Sequence, residues 1–365
     1  MLHAINHSPD AIRALRSIGA FQFLLLKRLC NRATRARDIN VAWVQAVWFR
    51  LPPDWVESFC AFRPPGSKKP TTLESMRKIA GATTARKTSI LLAFLAGQRV
   101  GQWFFAPGRS STAKVAAHTE PLKKAVINLL HGFYAPALYE DGGYLGYMPP
   151  IGQANQPFHR QHLQDLFDLQ NDIDVCPYCN GAATHRDMDH YIPLSRHPWL
   201  SCSPVNLVPV CKGCNLSKTT KPPWTETAAI PTQDWFHPYL RSADGNYMIE
   251  LRGAAGRPEP RMVPIGATPA NRCLNFENLV KLPETWKTQA RSVVSTLKKE
   301  LKRQAVRRGA ALGEPEIRAI LAESRHDADA VSRSAPYSLV RRAICDAVLN
   351  NRPGYMQMFQ AAAVP

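Results

Sequence analysis

The sequence predicts a mainly α-helical protein with a small α+β centre, flanked by helical N- and C-terminal regions. Three observations carry that expectation. Leu, Ala, Ile and Arg outnumber β-branched residues in most windows. Apolar residues recur at helical spacing behind recognisable caps. Two Cys-x-x-Cys pairs crowd one short central stretch. At 365 residues the chain exceeds one ordinary core, so two or three domains are expected. With 45% hydrophobic and 20% charged residues it should fold rather than stay disordered.

Taken in order, Ser8-Pro9-Asp10 reads as a cap with proline in the first turn, opening an apolar helix that runs to Cys30. Thr71 to Glu74 fits a capping box, and Gly81 fits a helix stop. Lys114 to Leu130 has helical spacing. The stretch YEDGGYLGYMPPIGQANQP, Tyr139 to Pro157, breaks periodicity and marks a boundary. Phe158 to Asp172 is a helix leading into the first cysteine pair. SADGNYMIELRG, Ser242 to Gly253, combines an Asp-Gly turn with alternation and reads as a hairpin. A long helix is expected between Pro283 and Gly309, and another over Pro336 to Asn350. The domains are therefore 1–150, a basic helical region; 151–240, the cysteine-bearing centre; and 241–365, a hairpin with a basic helical region.

Net charge is +18, which suits a polyanionic partner. The charge is uneven: residues 1–150 carry +12, residues 151–240 carry −2 and residues 241–365 carry +8. No segment reaches the roughly 20 apolar residues of a membrane span, and the first apolar run lacks the cleavage site of a signal sequence. A cytoplasmic protein without a membrane partner is the expectation. Nine cysteines, an odd number, argue against a disulfide scaffold.

Cys176 and Cys179 form one pair, Cys211 and Cys214 the other. Two such turns supply the four tetrahedral sulfur ligands of a structural Zn2+ site, and soft thiolates favour zinc over magnesium or calcium. His185 or Cys202 could replace one ligand, but neither has a partner at that spacing.

Between and beside the pairs lie Asp189-His190, Asn206 and Asn215. A histidine with a pKa near ~6.5 is mostly neutral at cellular pH and can take a proton from water. A carboxylate and an amide oxygen are hard ligands suited to Mg2+, and such an ion can stabilise a phosphodiester's leaving oxygen. An asparagine can hold two backbone segments in register by donating and accepting at once.

The stretch CPYC followed by MDHYIPLSRHPWLSCSPVNLVPVCKGCNLSK, Met188 to Lys218, resembles the HNH nucleases, whose active site is a ββα-metal fold. WFHPYL, around His237-Pro238-Tyr239, is similar to the segment that follows in one bacterial subgroup, members of which occur among anti-phage defence proteins. The resemblance covers roughly residues 157–240, under a quarter of the chain. It implies that His190 is the general base, that Asp189 and Asn215 hold a catalytic Mg2+ or Mn2+, and that Asn206 orients the loop carrying His190. It also implies strands over Met188 to Pro193 and Leu207 to Val210, a helix from near Asn215, and products with 5′-phosphate and 3′-hydroxyl ends. The family's last position is often histidine and here is Asn215. Asp187, two residues before Asp189, is an alternative metal ligand.

The expected function is thus a metal-dependent DNA endonuclease, and the subgroup resemblance adds the expectation that it is the effector of a bacterial anti-phage defence system. Two other readings are a zinc-stabilised nucleic-acid-binding protein without catalysis and an RNA-cleaving nuclease. The expected partner is DNA, taken as double-stranded, with a regulatory ATPase or sensor as a second partner. Since the centre is slightly acidic, substrate grip is assigned to the flanks: Arg291, Lys298, Lys299, Lys302 and Arg303 of the long helix, aided by Lys212 and Lys218 of the centre.

Overall fold

The computed structural model describes residues 2–49, 51–64, 69–105, 120–135, 159–183, 186–222 and 234–365. The boundary expected over Tyr139 to Pro157, the beginning of the helix expected from Lys114, and His185 lie outside the described residues.

The N-terminal region is built of helices α1 (Pro9–Leu29), α2 (Val41–Val47), α3 (Pro53–Ala61), α4 (Thr72–Ala80), α5 (Thr84–Gly97), α6 (Val100–Phe105) and α7 (Glu120–Gly132). α1 starts where its cap predicts, with the Ala11 N–H donating to Ser8 Oγ at 3.1 Å. α4 opens with the full capping box: the Glu74 N–H donates to Thr71 Oγ1 at 3.1 Å and the Thr71 N–H to Glu74 Oε2 at 2.6 Å. Trp48, Phe59 and Phe133 form an aromatic core with ring centroids 5.1 to 5.6 Å apart.

The centre follows as helix α8 (Arg160–Asn171), strand β1 (Arg186–His190), strand β2 (Leu207–Cys211) and helix α9 (Lys212–Lys218). β1 and β2 are antiparallel, with Asp189 opposite Val208 and His190 opposite Leu207. β1 begins two residues earlier than expected and stops at His190 rather than Pro193. The Asn206 side chain, described below, takes over the backbone of the next turn. α9 begins at Lys212, not near Asn215, because the Cys211 sulfur caps it by accepting the Cys214 N–H at 3.4 Å.

The C-terminal region holds strands β3 (Tyr247–Arg252) and β4 (Glu259–Pro264) and helices α10 (Ala270–Val280), α11 (Leu282–Arg308), α12 (Glu314–Ala330), α13 (Ser338–Leu349) and α14 (Tyr355–Gln360). The expected long helix is α11, closed by Gly309 in the left-handed region. The hairpin differs from expectation. Asp244-Gly245 precedes β3, and the partner strand lies downstream, across a turn opened by Gly253 at φ +78°. A β-carbon there would sit 2.8 Å from the Arg257 carbonyl oxygen, so glycine is required. The alternation over Tyr247–Arg252 is a strand, and the turn of the hairpin is at Gly253, not at Asp244-Gly245.

Both flanks are stitched to the centre. The Leu2 N–H donates to the Pro177 carbonyl at 3.0 Å, and His7 Nε2 donates to the Leu207 carbonyl at 3.0 Å while its ring stacks on Tyr239 at 4.7 Å. From the other side, Trp286 Nε1 of α11 donates to the Cys179 carbonyl at 3.1 Å. At Gly97 the backbone of α5 runs against Trp199 so closely that a β-carbon would fall 1.8 Å from the indole.

This burial has a pH consequence. Burial is the largest cause pushing His3 and His7 down from 6.5 to about 4. In the folded chain both rings stay neutral until about pH 4, whereas the unfolded chain binds protons near ~6.5. Stability is therefore full above that upper value and falls as pH drops toward the lower one, by about 3 kcal/mol at most for each ring. Melting temperature measured from pH 7 to pH 5 should fall. A His7→Phe chain, which keeps an aromatic ring on Tyr239, should fall less steeply; an equal slope would contradict the assignment.

Candidate active site and metal centre

The sulfurs of Cys176, Cys179, Cys211 and Cys214 lie within 4.8 Å of one another. Sulfurs around one tetrahedral Zn2+ at ~2.3 Å stand about 3.8 Å apart, and Cys179 Sγ and Cys211 Sγ are 3.9 Å apart. Backbone N–H groups point at the cluster: Cys211 N–H to Cys176 Sγ at 3.3 Å and Gly181 N–H to Cys179 Sγ at 3.4 Å. Such donors stabilise thiolates. The neighbouring sulfurs pull the Cys211 thiol far down and push those of Cys179 and Cys214 up, so full ionisation calls for a cation at the centre. The four residues fit a structural metal. Cys202 stands apart, buried, with its thiol donating to the Phe133 carbonyl at 3.5 Å.

β1 directs Asp187 and Asp189 to one face and Met188 and His190 to the other, by strand alternation. The first face meets α9, where Asn215 and Lys218 are one turn apart. Asn215 Nδ2 donates to Asp187 Oδ2 at 3.2 Å. Asp189, only 3% exposed, accepts from the Tyr178 hydroxyl at 2.7 Å and pairs with Lys218 Nζ at 3.0 Å. Lys218 also donates to the His190 carbonyl at 2.6 Å.

His190 extends to the other side of the strand. Its Nε2 donates to the Ser201 carbonyl at 2.8 Å, and its ring meets Tyr134 edge-on at 4.4 Å. A carbonyl only accepts, so the proton of the neutral ring sits on Nε2 and the lone pair on Nδ1. Burial is the main cause that lowers its pKa to about 3, so the ring is neutral at working pH. The Ser201 turn is held in place by the N-terminal region, since Gln22 Nε2 of α1 donates to Ser201 Oγ at 2.8 Å and Gln98 Nε2 to the Trp199 carbonyl at 2.6 Å.

Asn206 is fully buried and clamps the turn after His190. Its Oδ1 accepts from the Ile192 N–H at 2.7 Å, and its Nδ2 donates to the carbonyls of Ile192 at 3.0 Å and Leu200 at 3.1 Å.

Asp189, His190 and Asn215 open onto one cleft of about 1010 Å³. Its far wall belongs to the N-terminal region and includes Phe62, Arg63, Lys69, Lys124 and Tyr134. Sequence reasoning missed these residues because their partners are remote along the chain, and it missed Tyr178, close in sequence to Asp189, because nothing in its spacing points to a carboxylate. Asp189 and Asn215 both line the cleft, a carboxylate and an amide of the kind that suit a hard divalent ion, but the Asp189 carboxylate is buried and already held by Tyr178 and Lys218. Asp187 is not among the lining residues; it pairs with Asn215 instead.

The expected nucleic-acid contacts divide. Lys212 is exposed on α9. Lys218 is corrected: it is wholly buried, and its ammonium neutralises Asp189 rather than facing solvent. Arg291, Lys299, Lys302 and Arg303 are exposed on α11 and Lys298 is half-buried, but none of the five lines the cleft.

Removing one partner of a buried ion pair leaves an uncompensated charge. Lys218→Met should therefore lower stability by about 3–5 kcal/mol, and adding Asp189→Asn should recover much of the loss. Denaturant unfolding checks both; equal stability of Lys218→Met and the parent chain would show that the pair is not formed.

Fold and site together define a mainly α protein whose small ββα centre carries four cysteines close enough to bind one metal ion, and no helix among the described residues is long and apolar enough to cross a membrane. The chain is similar to the protein ea31 of Escherichia phage lambda, 37% identical over 135 residues, which are 36% of this chain and 40% of that protein. It thus spans about two-fifths of that relative's length. No family model and no solved structure matches the chain.

Proposed function

We propose that the protein is a metal-dependent endonuclease of the HNH type that hydrolyses DNA phosphodiester bonds. The observation that carries this reading is that a neutral histidine with a fixed tautomer, Asn215 and Asp189 line one cleft; an ion held by Asp189 would take the place that Lys218 now occupies on its carboxylate. Zn2+ on the four cysteines would pin β2 and α9, and so hold Asn215 against β1.

In this reading Asp189 and Asn215 hold Mg2+ or Mn2+, which when bound supplies charge stabilisation of the leaving 3′ oxygen. Nδ1 of His190 accepts the proton of the attacking water. The Ser201 carbonyl keeps Nε2 protonated and stabilises the imidazolium that forms. The phosphate's own negative charge raises the pKa of His190 from its depressed value toward the working range. Asn206 keeps the ring at the height of the cleft by fixing the turn on its C-terminal side.

The test is incubation of zinc-loaded protein with single-stranded and duplex DNA, with Mg2+, with Mn2+ or with chelator. Cleavage that requires the added ion supports the proposal. Binding without cleavage under every ion would favour a zinc-stabilised binding protein instead.

A further inference from the structure

We propose that the cleft over His190 takes a single strand of nucleic acid, held by its phosphates against the N-terminal helices, and excludes an intact duplex; this rests on the nuclease reading above. The cleft has two walls. One is the ββα unit with Asp189, His190 and Asn215, and the other, from the segment after α3 and from α7, carries Arg63, Lys69 and Lys124. A chain drawn along it would have its scissile phosphate beside His190 and neighbouring phosphates beside those three cations.

Size decides between one strand and two. The volume, about 1010 Å³, matches the top of the range for small-ligand clefts, roughly 300–1,000 Å³. That holds a few nucleotides of one strand. A duplex, whose strands stand about 12 Å apart across the major groove, is too wide to enter it and would have to lie across its mouth. The lining chemistry agrees. Phe62, half-buried, lines the cleft, and base–aromatic stacking beside a cationic track is how proteins hold single strands without regard to sequence.

The cations can be recruited by phosphate. Arg63 faces Glu74 at 3.8 Å and Lys124 faces Glu120 at 3.9 Å, but both pairs are solvent-exposed, so their attraction is screened and weak. Lys69 is exposed. The N-terminal region's charge of +12 is thereby given a local use.

The experiment uses the full zinc-loaded chain carrying His190→Ala, so that bound strands survive. Fluorescence anisotropy compares single-stranded DNA, single-stranded RNA of the same sequence and blunt duplex DNA across a salt series. At least one single strand should bind about ten-fold more tightly than the duplex, and the two single-strand arms identify the polymer. Adding Arg63→Ala and Lys124→Ala should weaken single-strand binding by about ten-fold and flatten the salt slope by about 1.4, the value for two phosphates. Lys299→Ala, Lys302→Ala and Arg303→Ala on α11 should change it less. Melting temperatures confirm that the variants fold. Duplex bound as tightly as either single strand, or affinity indifferent to Arg63 and Lys124, would overturn the proposal. Binding is read without catalysis, so its failure is separable from a failure of the nuclease reading, which the parent chain's cleavage decides.

Discussion

Cys211→Ser is expected to abolish stable metal binding and to lower the melting temperature by roughly 10 °C or more. Cys211 does three things at once. It ends β2, it caps α9 by accepting the Cys214 N–H, and it brings its sulfur to 3.9 Å from Cys179. A hydroxyl is a harder and less ionisable ligand than a thiolate, so serine removes one quarter of the coordination set. The loss spreads beyond the centre, because the Cys179 carbonyl also receives Trp286 Nε1 at 3.1 Å and Gln289 Nε2 at 3.3 Å from α11. Zinc content by elemental analysis and calorimetric unfolding check this together. Cys202→Ser is the control: more deeply buried than Cys211 but outside the cluster, it should leave zinc content unchanged. Retention of zinc and melting temperature by Cys211→Ser would contradict the assignment of the cluster.

The second large effect is on the reaction. His190→Ala should lower the cleavage rate by at least about 10²-fold, the lower range for losing a general base. Folding should survive, since among the described residues the ring makes one hydrogen bond, to Ser201, and one edge contact, with Tyr134. Metal content and nucleic-acid affinity should therefore stay near those of the parent. Single-turnover cleavage, with binding measured on the same preparations, separates the two quantities. A His190→Ala enzyme as fast as its parent would remove the imidazole from the mechanism.

Much of this architecture was legible because its signals are local. The Ser8 cap, the Thr71–Glu74 box, the Gly309 stop and the cysteine spacing each lie within a few residues of the structure they specify. The clamp by Asn206 was expected from the resemblance to a known family, and the structure places its bonds on the turn after His190. What was missed is long-range. Arg63, Lys69 and Lys124 are more than sixty positions before His190, and only tertiary packing brings them to its cleft. Lys218 reads as a surface cation in sequence because lysine usually is one. Its position one turn after Asn215 already put it on the α9 face toward β1, but the buried carboxylate waiting there could not be seen from spacing. The mistaken hairpin turn has the same origin: two glycines bracketed one strand, and only pairing with β4 distinguishes them.

The end groups of the cleaved strand test the account most directly. Attack by water activated at His190, with the 3′ oxygen leaving, produces a 5′-phosphate and a 3′-hydroxyl, so fragments should be rejoined by a ligase without prior treatment. Products ending in 3′-phosphate or a 2′,3′-cyclic phosphate would require a different bond to break, and would contradict it.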